Sequence, residues 1–503
     1  MSGGSASLIL RTVSWAPSRP WPRAELDRAA WNRLIPALAD EPTLALLGLW
    51  ADQTQVHALF QDENEGLIIP ASLPIEDGAY PALSQVRPGA ALFERMIHDL
   101  WGHSAIGARD LRPWLDHGKF VTTFPMAARA GQAQRPEAFP FLTVEGEDGH
   151  ALAVGPIHAG IIQAGHFRIH AVGERVTRLE CRHGYTHKGT LSLIRGQSPR
   201  AAARFACRLA ADAAVGHALA FAHAAEAALD FTPPPRARHL RAVMAEIERI
   251  ANHLADIGGI VEDAGLAWPA TRTGWHREAF LRAAHEGFGH RLMMDAVVPG
   301  GVASDLSAKG ADGILRACDA LSQEWPRLQE LFASHTGLAD RLAGVGVVSR
   351  ERAARFAAGG VVGRASGRAS DARRTPGYAP YDALEFDVAF HEAGDVEARF
   401  EVRIDEIFHS IQLVYQLLAS LPPGPVVTAV PTGSGEGYGV AETFRGAAWC
   451  WLVISGGLIT SCFLRDPSWL HWPLLEGAMQ NGIVGDFPLV NKSFNASYSG
   501  VDL

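Results

Sequence analysis

The sequence predicts an α+β protein: a small N-terminal α/β unit over residues 1–135, then a helical bundle over 136–503 with β-structure at its margin. Three observations carry this. Short apolar runs broken by Pro and Gly dominate the first part. Long stretches with apolar residues three and four apart fill the middle. Short runs return near the end.

Taken in order, Leu44-Ala-Leu-Leu47 and Gly66-Leu-Ile-Ile-Pro70 read as strands and lead into a helix from Ala91 to Trp101. Residues 128–140, rich in Ala, Gly, Gln, Arg and Pro, have linker composition and set the boundary. A hairpin follows. Phe167, Ile169 and Ala171 alternate with polar residues, Gly173-Glu174 turns, and Thr177, Leu179 and Cys181 alternate on the return. The Ala-dense stretch from Pro199 to Leu229 predicts one helix interrupted only by Gly216 and ended at Pro233-Pro-Pro235. From Arg238 to Ile260, Leu240, Val243, Met244, Ile247, Ile250, Ala251, Leu254 and Ile257 form a single apolar stripe. Further helices are expected over 276–293, 312–343 and 398–420, with a Gly/Ser/Arg-rich loop over 359–377.

At 503 residues the chain can hold two or three domains. Its 48% hydrophobic and 20% charged content are those of a globular protein. The net charge of −9 leaves no basic footprint and excludes nucleic acid as a partner class. Five widely spaced cysteines fit a reducing cytoplasm and predict neither a disulfide framework nor a zinc or iron–sulfur site in this chain. The opening Met1–Val13 predicts no secretory signal. The richest apolar stretch, 447–459, is far short of the roughly 20 residues a spanning helix needs, so no transmembrane segment is expected.

Several polar residues carry two readings. His158, after Gly155-Pro-Ile, suits a proton or redox role, or a bond to a backbone carbonyl. Glu180 and His187 suit proton relay or turn stabilisation. His166 and His170 belong to a solvated hairpin face, and His217 to a packed helix or a polar cavity. Arg445 and Arg465-Asp466 point to structural ion pairs. The Gly433-x-Gly435-x-Gly437-x-Gly439 repeat lacks a strand–turn–helix context and reads as a turn, not a nucleotide loop. His285-Glu286 and His290 do not have zinc spacing.

The ordered motifs Gly155-Pro-Ile-His158, Arg182-His-Gly-Tyr-Thr-His-Lys-Gly189, Glu246-Ile-Glu-Arg-Ile-Ala-Asn-His253, Val298-Pro-Gly-Gly301, Gly363-Arg-Ala-Ser-Gly367, Gly435-Glu-Gly-Tyr-Gly439 and Asp486-Phe-Pro-Leu-Val-Asn491 through Asp502 resemble the large subunit of energy-converting nickel–iron hydrogenases. They equally resemble the quinone-cavity subunit of respiratory NADH:quinone oxidoreductase (complex I). The resemblance covers about 155 to 503. Glu94-Arg95 through Gly102, with Asp110-Leu-Arg112, is similar to the smaller peripheral subunit of the same complexes, so the order resembles a fusion of the two.

The resemblance implies a hydrogenase-large-subunit-like body whose two Cys-x-x-Cys metal-ligand pairs fall at Ala210 and Ala213, upstream of His217, and at Ser497 and Gly500, beside Tyr498. No thiolate remains to bind soft metals, so no metal is expected. The stop at Leu503, without the extension that hydrogenase maturation removes, agrees with that expectation. The quinone-contacting histidine of complex I falls at Ile162, with His166 nearby, and its tyrosine falls near Ala211. What the resemblance implies is a membrane-associated electron-transfer subunit on the cytoplasmic face of the inner membrane. It would bind no cofactor itself, would be fed by an iron–sulfur cluster-bearing small subunit and would dock on antiporter-like membrane subunits. Its acceptor would be quinone or an unidentified molecule, and any NADH chemistry would lie in partners. The alternative is a catalytically silent scaffold in such a complex.

Overall fold

A computed structural model describes residues 5–129, 131–132, 138–144 and 148–503. The boundary expected at 135/136 lies outside the described residues. The α+β class holds: long helices in the body and separate, mostly antiparallel sheets.

The N-terminal unit is a five-stranded sheet in the order Ser14–Ala16, Arg23–Glu25, Leu67–Pro74, Gln55–Asp62, Leu44–Ala51. All neighbours are antiparallel except Arg23–Glu25 beside Leu67–Pro74. The helix Arg28–Asp40 starts where Asp27 accepts from the Ala30 amide at 2.7 Å. The helix Ala90–Trp101 stops at Gly102, whose φ of +75° only glycine adopts without strain.

This unit is welded to the end of the chain. The Arg19 amide donates to the Glu436 carbonyl, the Tyr438 amide donates back to the Arg19 carbonyl, and Arg23 pairs with Glu436 at 3.0 Å. Trp50 stacks on Phe463 with ring centroids 5.2 Å apart, and one apolar core runs through both. Their partner surface is the meander Gly435–Thr443, Gly446–Ser455, Leu458–Arg465, which lies between the first unit and the helix Ala214–Ala228. From Gly435 onward the glycine repeat is therefore a strand and not a turn. A Cβ at Gly437 or Gly439 would collide with the carbonyl of Ala224 or Ala220, so absent side chains are what let helix and strand meet.

The hairpin forms as His166–Val172 and Arg175–Arg182, joined by a third strand, Gly149–Val154, that the sequence did not signal. A bulge between Val176 and Arg178 buries Val176 and leaves Thr177 exposed, reversing the expected alternation there. His170 is buried rather than solvated.

The body is built on Pro235–Asp263, which packs against Ala267–Phe288 and Val396–Ala419, with Ala308–Ser334 outside. The expected single helix from Pro199 to Leu229 is two, Pro199–Ala206 and Ala214–Ala228. Between them the chain unwinds, and Glu248 takes over the start of the second helix, its carboxylate accepting from the Val215 and Gly216 amides at 2.7 and 3.0 Å. The segment 359–377 is not a solvated loop. It contains the helix Gly360–Ala365 and inserts Arg364, Asp371 and Arg373 into the core. Among the described residues, no helix is long and apolar enough to cross a membrane.

Candidate functional site

The first and last motifs meet. The strand Gly149–Val154 ends in a loop that returns at Gly165, whose amide donates to the Pro156 carbonyl. That loop closes over Tyr498: a Cβ at Gly165 would collide with the phenol ring, so only glycine permits the approach. Gln163 accepts from the Ser499 amide at 2.9 Å and fastens the loop from the other side.

Tyr498 is buried in an aromatic box of Phe167, His183 and Trp472. Its hydroxyl accepts from Asn491 Nδ2 at 3.3 Å and lies 3.3 Å from His158 Nε2. Burial pushes the phenol well above its ordinary range, so it stays protonated and able to donate. Beside this pair opens a cleft of about 660 Å³, walled by Gly160, Ile162, Gly258, Gly259, Asn495 and Tyr498 among others. Ile162 lines the cleft. His166 does not replace it; its ring packs on Phe141 at 5.2 Å.

The positions that the resemblance assigns to sulfur ligands are not part of the cleft lining. Ala210 and Ala213 pack against Phe444 in a small buried apolar cluster. Asp212, between them, receives both terminal nitrogens of Arg445, at 3.0 and 2.5 Å. Ser497 Oγ caps the Gly500 amide at 3.0 Å. At Gly500 a Cβ would lie 2.6 Å from Asp466 Cγ, so the Asp466 carboxylate fills the space a side chain would need. That carboxylate bonds His217 Nε2 at 2.8 Å, both residues being almost fully buried. Burial alone would raise the Asp466 carboxyl. The hydrogen bond and charge of His217, with Arg445 behind it, more than reverse that and hold it well below the carboxylate range.

Of the charges expected in structural ion pairs, Arg445 pairs with Asp212. Asp466 pairs with His217 and not with an arginine. Arg465 donates to the Ala447 carbonyl and, among the described residues, has no carboxylate in bonding range; burial lowers its guanidinium to about 10. A chain of bonds links the cleft to this cluster: Asp256 accepts from Asn495, and the Asn495 carbonyl accepts from Arg445.

The three candidate proton carriers do not share a site. His158 stands next to the cleft-lining residues Ala159 and Tyr498, with Nδ1 3.4 Å from the Pro156 carbonyl and Nε2 on the Tyr498 hydroxyl. Glu180 is buried behind the hairpin, held by Arg112 at 2.6 Å and His170 at 3.0 Å. His187 faces Phe120 and spends Nδ1 on the Asp502 carbonyl at 2.5 Å; burial lowers its imidazole pKa.

A buried ionic lattice, unforeseen from the sequence, crosses the body. Glu246, Arg249 and His253 of the central helix meet Arg364, Asp371, Arg373, Glu406 and Glu442. Glu406 joins His253 at 2.7 Å to Arg364 at 2.6 Å, and Arg373 joins Asp371 at 2.7 Å to Glu246 at 3.1 Å. The signal was present: Glu246, Arg249 and His253 recur every three to four residues beside the apolar stripe, where solvent does not reach.

Residues 263–432 match the family model described as the respiratory-chain NADH dehydrogenase 49-kDa subunit. An NADH-quinone oxidoreductase subunit of Dehalococcoides mccartyi is 31% identical over 310 residues, 61% of this chain and 84% of that protein. This chain belongs to that family. Its relatives include hydrogenases: the carbon monoxide-induced hydrogenase of Rhodospirillum rubrum is 29% identical over 357 residues, 70% of this chain and 98% of that protein. The NADH-quinone oxidoreductase protein of Bacteroides fragilis designated C/D is 28% identical over 395 residues, 73% of this chain and 74% of that protein. Its double designation agrees with the two-part order expected from the sequence.

Proposed function

We propose that this chain is an electron-transfer subunit of a respiratory- or hydrogenase-type complex that works without a nickel–iron centre. The observation that carries this reading is that Tyr498, at the wall of a large cleft, pairs with His158, while the former ligand positions are closed. The residues there do not fit a nickel–iron group. Two alanines, a serine and a glycine supply no thiolate, and Asp466 occupies the space beside Gly500.

The cleft suits a carbonyl-bearing acceptor such as quinone. Apolar side chains and glycines would flank its body, and the Tyr498 hydroxyl would donate to a carbonyl oxygen. His158, behind that hydroxyl, would pass a proton to it. Electrons would come from an iron–sulfur cluster held by a small partner subunit. Ile157 and Ile161, 84% and 98% exposed on the same loop, present apolar surface for such a partner. Membrane attachment, at the cytoplasmic face of the inner membrane, would come through antiporter-like or complex I-like membrane subunits.

The test uses the complex purified with its partners. Acceptor reduction that falls at least about tenfold in both His158→Gln and Tyr498→Phe, with the full set of partners still bound, is the expected result. Stoichiometric nickel in the purified complex overturns the reading. Full cellular function of both variants overturns it in favour of a silent scaffold.

A further inference from the structure

A second cavity of about 370 Å³ lies in the N-terminal unit and shares no lining residue with the cleft. One wall is a face of the Ala90–Trp101 helix, where Glu94 and His98, and Arg95 and Asp99, stand one turn apart. The other wall is the strand Ser104–Ile106 and the loop on to Arg112.

Glu94 is 2% exposed. Its Oε1 accepts from the Ser84 amide at 2.9 Å, while Oε2 has no hydrogen-bond partner among the described residues. A buried carboxylate oxygen without a donor is costly, and the charged groups of the wall are engaged elsewhere. Arg95 is spent on the Arg112 and Pro113 carbonyls and on Asp110. Arg112 is spent on Asp110 and Glu180. His98 turns Nδ1 to the His103 carbonyl at 3.3 Å. Asp99 is engaged by the amides of Trp114, Leu115 and Asp116. Three lining carboxyl groups, Glu94, Asp99 and Asp110, thus face two lining guanidiniums and His98; burial raises Glu94 and Asp99, and the unmatched atom belongs to Glu94. The rest of the lining is largely apolar, with Ile106 57% and Leu111 79% exposed at the rim.

We propose that this cavity binds a primary alkylammonium group, with Glu94 Oε2 accepting from the ammonium and Ile106, Ala108 and Leu111 flanking the alkyl chain. An ammonium beside Glu94 would oppose the burial that raises its carboxyl, which a neutral hydroxyl cannot do, and charge-assisted bonds are the stronger kind. This inference is independent of the reading of the cleft.

The probe is n-butylammonium chloride, titrated calorimetrically into the full chain, with 1-butanol as its uncharged counterpart. The expected result is saturable ammonium binding, at least about tenfold tighter than the alcohol, and weakened at least about tenfold by Glu94→Gln. Ala108→Phe, which fills the cavity from the loop and leaves Glu94 in place, abolishes it. Absent ammonium binding, equal affinity for the alcohol, or unchanged affinity in folded Glu94→Gln or Ala108→Phe overturns the proposal.

Discussion

The Tyr498 hydroxyl lies 3.3 Å from His158 Nε2 although 340 residues separate the two in sequence. A contact of that span exists only because both ends of the body fold onto one wall. Tyr498→Phe keeps the ring in its aromatic box and removes the hydroxyl alone. It should cost about 1 kcal/mol in a urea titration, the worth of one lost hydrogen bond. Acceptor turnover should fall by about tenfold or more, far beyond what that stability loss explains.

Gly500 is closed by contact with Asp466 Cγ, 2.6 Å from where a Cβ would stand. Gly500→Ala should destabilise the fold by about 1–3 kcal/mol through overpacking, seen as a lower denaturant midpoint with unchanged slope. A fully stable Gly500→Ala would show that the space is open.

His217 and Asp466 form a pair with both side chains 1% exposed. Removing either partner, by His217→Ala or Asp466→Ala, should cost about 3–5 kcal/mol because the survivor is left buried and unpaired. The double variant should cost clearly less than the sum of the two. Strict additivity would remove the pair from the stability account.

Burial raises the Glu248 carboxyl from the ordinary 4.5 to about 8, even though two helix amides donate to it. In the unfolded chain the proton leaves near the ordinary value. The folded state therefore holds an extra proton between those limits, and stability falls as pH rises through that window. Glu248→Gln should flatten the pH dependence of unfolding free energy there by up to about 1.4 kcal/mol per pH unit. An unchanged slope would place the titration elsewhere.

Trp50 joins the N-terminal sheet to the meander through Phe463 at 5.2 Å and Trp451 at 5.6 Å. Trp50→Ala should cost about 3–5 kcal/mol and weaken the coupling between the two parts. Calorimetry should then resolve two transitions where the parent shows one.

How much of this was legible depended on whether a feature is local. The stripe from Leu240 to Ile257 fixes a helix because its periodicity is written in neighbouring residues. The strands at Leu44–Ala51 and Leu67–Pro74 were readable for the same reason. The break at 207–213 was not, because alanine-rich sequence favours helix and the unwinding is imposed by distant Arg445 and Glu248. The glycine repeat also misled, since its purpose is contact with the helix Ala214–Ala228 across the fold. At the site, His158 and the ligand positions were visible as motif positions. The partners of Asp466 and Glu180 were set by packing that no spacing records.

The carboxylate beside Gly500 also bears on descent. A descendant that acquired any side chain at Gly500 would meet a wall rather than a vacancy, and Asp466, which holds His217, would have to move to admit it. A new side chain at that position is thus penalised before any ligand could reward it, and the His217–Asp466 pair acts as a lock on what this part of the interior can accept.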